Sequence, residues 1–142
     1  MLDFIRVVHS VIRWFVVLVG LWAVMRAWLG LFVGRNWNSW DRMSGQLFNT
    51  ALDFQLLLGV LLFFLNSEAR RIIQDFPISI NLASLEFSFF RHVGFALLAA
   101  IIAYLGSRST RKAATTRTRF ARAALLFTLA LVLLYFAIPW PW

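Results

Sequence analysis

The 142-residue chain has no cysteine. That one absence removes disulfides, thiolate metal sites, iron–sulfur clusters and covalently attached c-type haem. Charge is also scarce: 14% of residues are Asp, Glu, Lys or Arg, where a soluble domain carries about 25%. Only six residues are acidic, against 14 Lys and Arg. Histidine occurs twice, as His9 and His92, and neither has an acid pair nearby, so a zinc site is poorly supplied. No G-x-G-x-x-G or P-loop pattern cradles a phosphate. None of the three prolines interrupts an apolar run, as it would in the broken helices of a transporter.

What is abundant is apolar: 61% of residues are hydrophobic and 17% aromatic, with a mean hydropathy of +0.77. A span needs about 20 residues to cross a hydrocarbon core of about 30 Å. Four runs qualify, at about 7–33, 47–65, 87–106 and 123–138. The last is short, and the terminal Pro139-Trp140-Pro141-Trp142 can anchor it at the interface. The first is too long, and lacks a cleavage site, for a removed signal peptide. Runs of this length read as helices, since only helices or closed barrels satisfy the backbone in lipid. The fold class expected is all-α: one transmembrane domain over 1–142, an antiparallel four-helix bundle. Between spans two and three, Ser67 to Arg71 opens a short helix that Pro77 ends, within a segment lying on the membrane surface.

Loops one and three hold Arg35, Arg42, Arg108, Arg111, Lys112, Arg117, Arg119 and Arg122 against the single acid Asp41. The positive-inside rule puts them in the cytoplasm and both termini outside. The net charge of +8 therefore points to anionic headgroups, with no nucleic-acid role expected, since loop three has few interleaved aromatics.

Polar residues inside the spans form two groups. His9 and His92 open spans one and three, which run parallel in an up-down bundle, so both fall on the outer side at similar depth. Two imidazoles at one level on two helices suit a bis-histidine haem b. Arg6 and Arg13 lie at i−3 and i+4 from His9 and share its face. With Arg91 they can pair with haem propionates. Gly94 and Ser88 leave room for a flat macrocycle, and Phe87, Phe89, Phe90, Phe95 and Trp14 can line it. The same arginines also suit plain interfacial anchoring. At the other end, Arg26 and Asp53 sit at matching depth and read as a structural ion pair, extended by Asn49 and Gln55. Gly20, Gly30, Gly59 and Gly94 read as close helix contacts.

Four stretches carry a resemblance: "VVHSVIRWFVVLVGL", "FQLLLGVLLFF", "FFRHVGFALLAAIIAYLGSRSTRKA" and the closing "IPWPW". In this order, over nearly the whole chain, they resemble a family of small, largely uncharacterised bacterial four-span membrane proteins labelled cytochrome-b-like. The family pattern includes a histidine at the start of span three, matched by His92. It usually sets an acid and a proline around that histidine, where this chain has Arg91 and Val93. Some relatives have a histidine in place of Asp53. The resemblance implies the bacterial cytoplasmic membrane. The expected role is a non-enzymatic b-type cytochrome in membrane electron transfer, with His9 and His92 on the haem iron. The alternative is an accessory subunit of a respiratory or photosynthetic complex, packed against other membrane subunits. In it a histidine meets the magnesium of a (bacterio)chlorophyll, or no cofactor at all.

Overall fold

A computed structural model describes residues 1–74 and 85–139. The described residues form five helices: α1 Leu2–Val33, α2 Ser39–Leu65, α3 Ser67–Gln74, α4 Leu85–Arg111 and α5 Thr116–Ala137. Four of them (all but α3) are long and apolar enough to cross a membrane, which makes this a multi-pass membrane protein. Large side chains such as Leu18, Phe32, Phe64, Ile101 and Leu125 are exposed, as lipid-facing positions should be. The short α3 follows α2 after one residue, as Ser67 and its charged neighbours suggest. Pro77, the rest of the expected surface segment and the terminal Trp140–Trp142 lie outside the described residues.

Every helix begins earlier than its apolar run. The largest difference is at α2, which starts at Ser39 rather than Leu47. Its first two turns, "SWDRMSGQ", are polar and read as loop, yet they are helical because Asn38 caps them. The Asn38 side chain accepts from the backbone N–H groups of Trp40 and Asp41, and the Asp41 carboxylate accepts from the Asn38 N–H. This reciprocal box satisfies three donors that would otherwise be orphaned at the helix start. α1 ends at Gly34, whose φ of 70° is open to glycine at little cost. Thr115 caps α5 through the N–H of Thr118.

The long helices meet as neighbours in the pairs α1–α2, α2–α4, α4–α5 and α5–α1. They form a ring in which α1 and α4 stand on one diagonal and α2 and α5 on the other. The centre is built from small residues: Ala23, Ala27, Ala51, Ala99, Ala103, Ala124 and Ala130 are all buried. In lipid, helix association depends on close backbone approach and van der Waals packing, which small side chains permit. Phe48 and Phe127 fill the remaining space on the α2–α5 diagonal, edge to face at 6.0 Å. Trp28 donates from Nε1 to Thr128 Oγ1 at 3.0 Å, tying α1 to α5.

The glycines divide. A Cβ on Gly20 would come within 2.8 Å of Phe48, and one on Gly30 would overlap the Phe120 ring. Those two are close contacts, as expected. The Phe120 ring cannot easily yield, because Trp37 lies 4.9 Å from it and Arg35 sits over it at 4.9 Å. Gly30→Ala is expected to destabilise the bundle by about 1–3 kcal/mol through overpacking, measured by unfolding in a neutral detergent. Gly94 differs: it is exposed, with nothing within 4 Å of where its Cβ would stand. Gly94→Ala should therefore stabilise α4 by about 0.5–1 kcal/mol, the ordinary helix preference for alanine, seen as a higher unfolding midpoint.

Candidate functional site

His9 lies seven residues past the first residue of α1, Leu2, and His92 lies seven past the first residue of α4, Leu85. Because α1 and α4 run parallel, equal distances from their starts put both imidazoles at one level. Because the two helices are diagonal, the rings meet across the interior rather than along a groove. Their centroids are 6.2 Å apart, with an interplanar angle of 68°.

The other diagonal holds both rings in place. His92 Nδ1 is 2.7 Å from the carbonyl oxygen of Ala137 on α5. A carbonyl only accepts, so Nδ1 carries the proton and, in the neutral ring, Nε2 keeps its lone pair. Metal-ligating histidines are usually oriented by a bond of this kind. Gln55 on α2 holds His9: its Nε2 amide is 3.1 Å from His9 Nε2 and donates at 3.1 Å to the His9 carbonyl. All four long helices thus converge at this level.

The histidines face a cavity of about 450 Å³, within the range of about 300–1,000 Å³ typical of small-molecule sites. Its walls are apolar, from Val16, Leu56, Phe63, Phe89, Phe90 and Leu134 among others, with Gly59 opening space beside His9. Three lining groups have a buried polar atom without a hydrogen-bond partner: His9 Nδ1, Arg13 Nε and Gln55 Oε1. Each such atom costs about 1–3 kcal/mol if left unmatched. Three in one cavity concentrate unmet hydrogen-bonding capacity at this level of the bundle.

The site gathers some of the expected residues and leaves others out. His9, His92 and Arg13 line the cavity, as do Phe89 and Phe90. Arg6 does not: it is exposed and pairs with Asp3 at 3.2 Å. Arg91 is exposed and absent from the lining, being about 100° around the helix from His92. Gly94, two residues on, is about 200° away and faces outward. Gly59 is the glycine that makes room, since a Cβ there would stand 3.7 Å from His9 Cε1. Ser88 is exposed, Phe95 packs on Phe136, and neither lines the cavity, nor does exposed Trp14. The Phe87 side chain lies outside the described residues.

The expected Arg26–Asp53 pair does not form. Arg26 instead binds Asp41 at 2.8 Å and donates to Asn38, while Arg35 grips the same carboxylate at 2.6 and 2.7 Å. The cause is the early start of α2. From Ser39, Asp53 is fourteen residues in, about 21 Å of rise, whereas Arg26 is only seven from the end of α1, about 10 Å. Arg26 reaches toward the surface, as long basic side chains do, and meets Asp41 there. Asp53 is exposed. Gln55 and Asn49 do not extend the ion pair either: Gln55 serves His9, and Asn49 donates to Ser107 at 2.9 Å.

No family model, curated protein or solved structure matches this chain. Among the described residues no three His, Cys, Asp or Glu cluster as a metal site, so any metal held here rests on two imidazoles and ligands of its own. A tetrapyrrole brings four ring nitrogens to its metal. The residues that would hold such a group are His9 and His92, since histidine is an ordinary ligand of haem iron.

Proposed function

We propose that this chain is a small b-type-cytochrome-like membrane protein that holds haem between His9 and His92 and takes part in membrane electron transfer, without being an enzyme in its own right. The observation that carries this reading is the His9–His92 pair, 6.2 Å apart at equal depth on diagonal helices. Haem, when bound, supplies one-electron chemistry, and the protein supplies ligands, orientation and dielectric.

The residues divide that work. Ala137 fixes the His92 tautomer so that Nε2 is the ligating nitrogen. Gln55 sets the His9 ring, and its amide must release His9 Nε2 if that nitrogen is to bind iron. Arg13, with an unpartnered buried Nε, offers charge-assisted hydrogen bonds to a propionate. The aromatic and aliphatic walls exclude water, which tunes a redox centre through its dielectric. Loops one and three carry the basic residues, so we place them in the cytoplasm, with the histidine end and both termini on the periplasmic side of a bacterial cytoplasmic membrane.

The same imidazoles allow a second reading, in which an accessory subunit of a larger complex presents a histidine to a chlorophyll-type magnesium. Two imidazoles at one site favour iron, because imidazole suits iron and magnesium prefers oxygen. An absorption spectrum of the protein purified in mild detergent separates the two. A dithionite-reduced α-band of b type supports haem, a red-region pigment band supports the subunit reading, and a spectrum with neither removes both cofactors.

A further inference from the structure

A second cavity lies at the opposite end of the bundle and shares no lining residue with the first. It has a volume of about 380 Å³ and sits between the starts of α2 and α5 and the end of α4. Its character is cationic. Arg42, Arg111 and Arg119 line it. The one carboxylate present, Asp41, is already held by Arg26 and Arg35. Three arginines therefore line the cavity with no free carboxylate among its lining residues to balance them.

Arg119 is the most informative of the three. Its guanidinium lies over Trp37 at 5.8 Å, and its Nε is buried without a hydrogen-bond partner. A guanidinium held over a ring with an unused donor is presented to something planar or tetrahedral that accepts. Neutral donors stand nearby. Ser107 accepts from Asn49, which leaves its own hydroxyl proton to give away. Gln46 adds an amide. Arginine forks match phosphate oxygens geometrically as well as in charge. Basic pockets between membrane helices are a known form of anionic-headgroup site.

We propose that this cavity seats a phosphate group through Arg42, Arg111 and Arg119, with Ser107 and Gln46 as neutral donors. The phosphate belongs either to the headgroup of an anionic phospholipid or to free phosphate. The site is independent of the histidine pair and stands whether or not haem binds there.

The test uses the full chain in a neutral detergent with phosphatidylcholine, titrated in parallel with phosphatidylglycerol and with inorganic phosphate, and read by native mass spectrometry. Two double variants are compared: Arg42→Gln with Arg111→Gln, and Arg6→Gln with Arg91→Gln at the far end. All four positions are exposed, and unchanged helical circular dichroism verifies folding. Saturable phosphatidylglycerol binding should weaken about tenfold or more in the first variant, at about 1 kcal/mol per arginine, and stay unchanged in the second. Phosphate binding with the same loss, and competition with the lipid, identifies free phosphate as the ligand; lipid binding that phosphate does not displace identifies the headgroup. Equal retention of phosphatidylglycerol and phosphatidylcholine with no binding of phosphate, or equal losses in both variants, overturns the proposal.

Discussion

His92→Ala should abolish the reduced α-band of the purified protein, and His9→Ala should do the same. If haem is held as proposed, both imidazoles would hold one metal, and either loss would remove one of its two protein ligands. The readout does not depend on activity. Alanine also opens a void, so a lost band needs a folding control. His92→Met serves: it keeps side-chain volume and a soft ligand, and should shift the potential upward, as methionine ligation does. Gln55→Leu supplies the milder case, because it removes the polar partner of His9 without removing a ligand. Its band should persist with haem occupancy no lower than in the parent, since the amide that occupies His9 Nε2 is gone. A band of unchanged intensity in the His9→Ala, His92→Ala double variant would sink the haem reading.

Asp41→Ala should be the most destabilising single change at the other end, by about 2–4 kcal/mol. The carboxylate is almost fully buried, at 2% side-chain exposure, while Arg26 and Arg35 retain 22% and 29%. Its removal leaves two half-buried guanidinium groups without a counterion and takes away half of the α2 capping box. The arginines keep some access to water, so the cost falls below that of a fully enclosed pair. The same carboxylate pushes Arg35 above its ordinary pKa through their hydrogen bond, so the pair stays charged at any pH the membrane meets. Asp53→Asn is the contrast: it lies outside the ion pair, and removing a charge from an exposed position within a span should not destabilise the bundle. Unfolding midpoints for the two variants in one detergent distinguish these outcomes. If Asp41→Ala matched Asp53→Asn, the ion triad would have no structural role.

The four helices were legible because lipid demands long apolar runs and nothing else produces them in this number. The histidine pair was legible for a related reason: both residues stand near the start of parallel spans, and helix rise converts sequence position into depth. Facing is a different matter. Depth alone placed Gly94 and Arg91 at the site, and the 100° turn per residue takes both off the His92 face. The Gln55–Gly59 spacing of four, which puts amide and glycine on one side of α2, was the available signal for the residues that were missed. The Arg26–Asp53 error came from the helix start. Apolar runs mark only the part of a helix inside lipid, whereas Asn38 and Asp41, three apart, mark where the backbone begins to wind.

The Phe48–Phe127 contact, set among the buried alanines, has a consequence for charge movement. The histidine cavity and the arginine-lined cavity share no lining residue, and the core packed between the helices is hydrocarbon. If the histidine pair holds haem, this hydrocarbon sets the redox centre apart from the arginine-lined cavity. In that case a redox partner, whether a neighbouring protein or a lipid-soluble carrier, would have to approach from the histidine end.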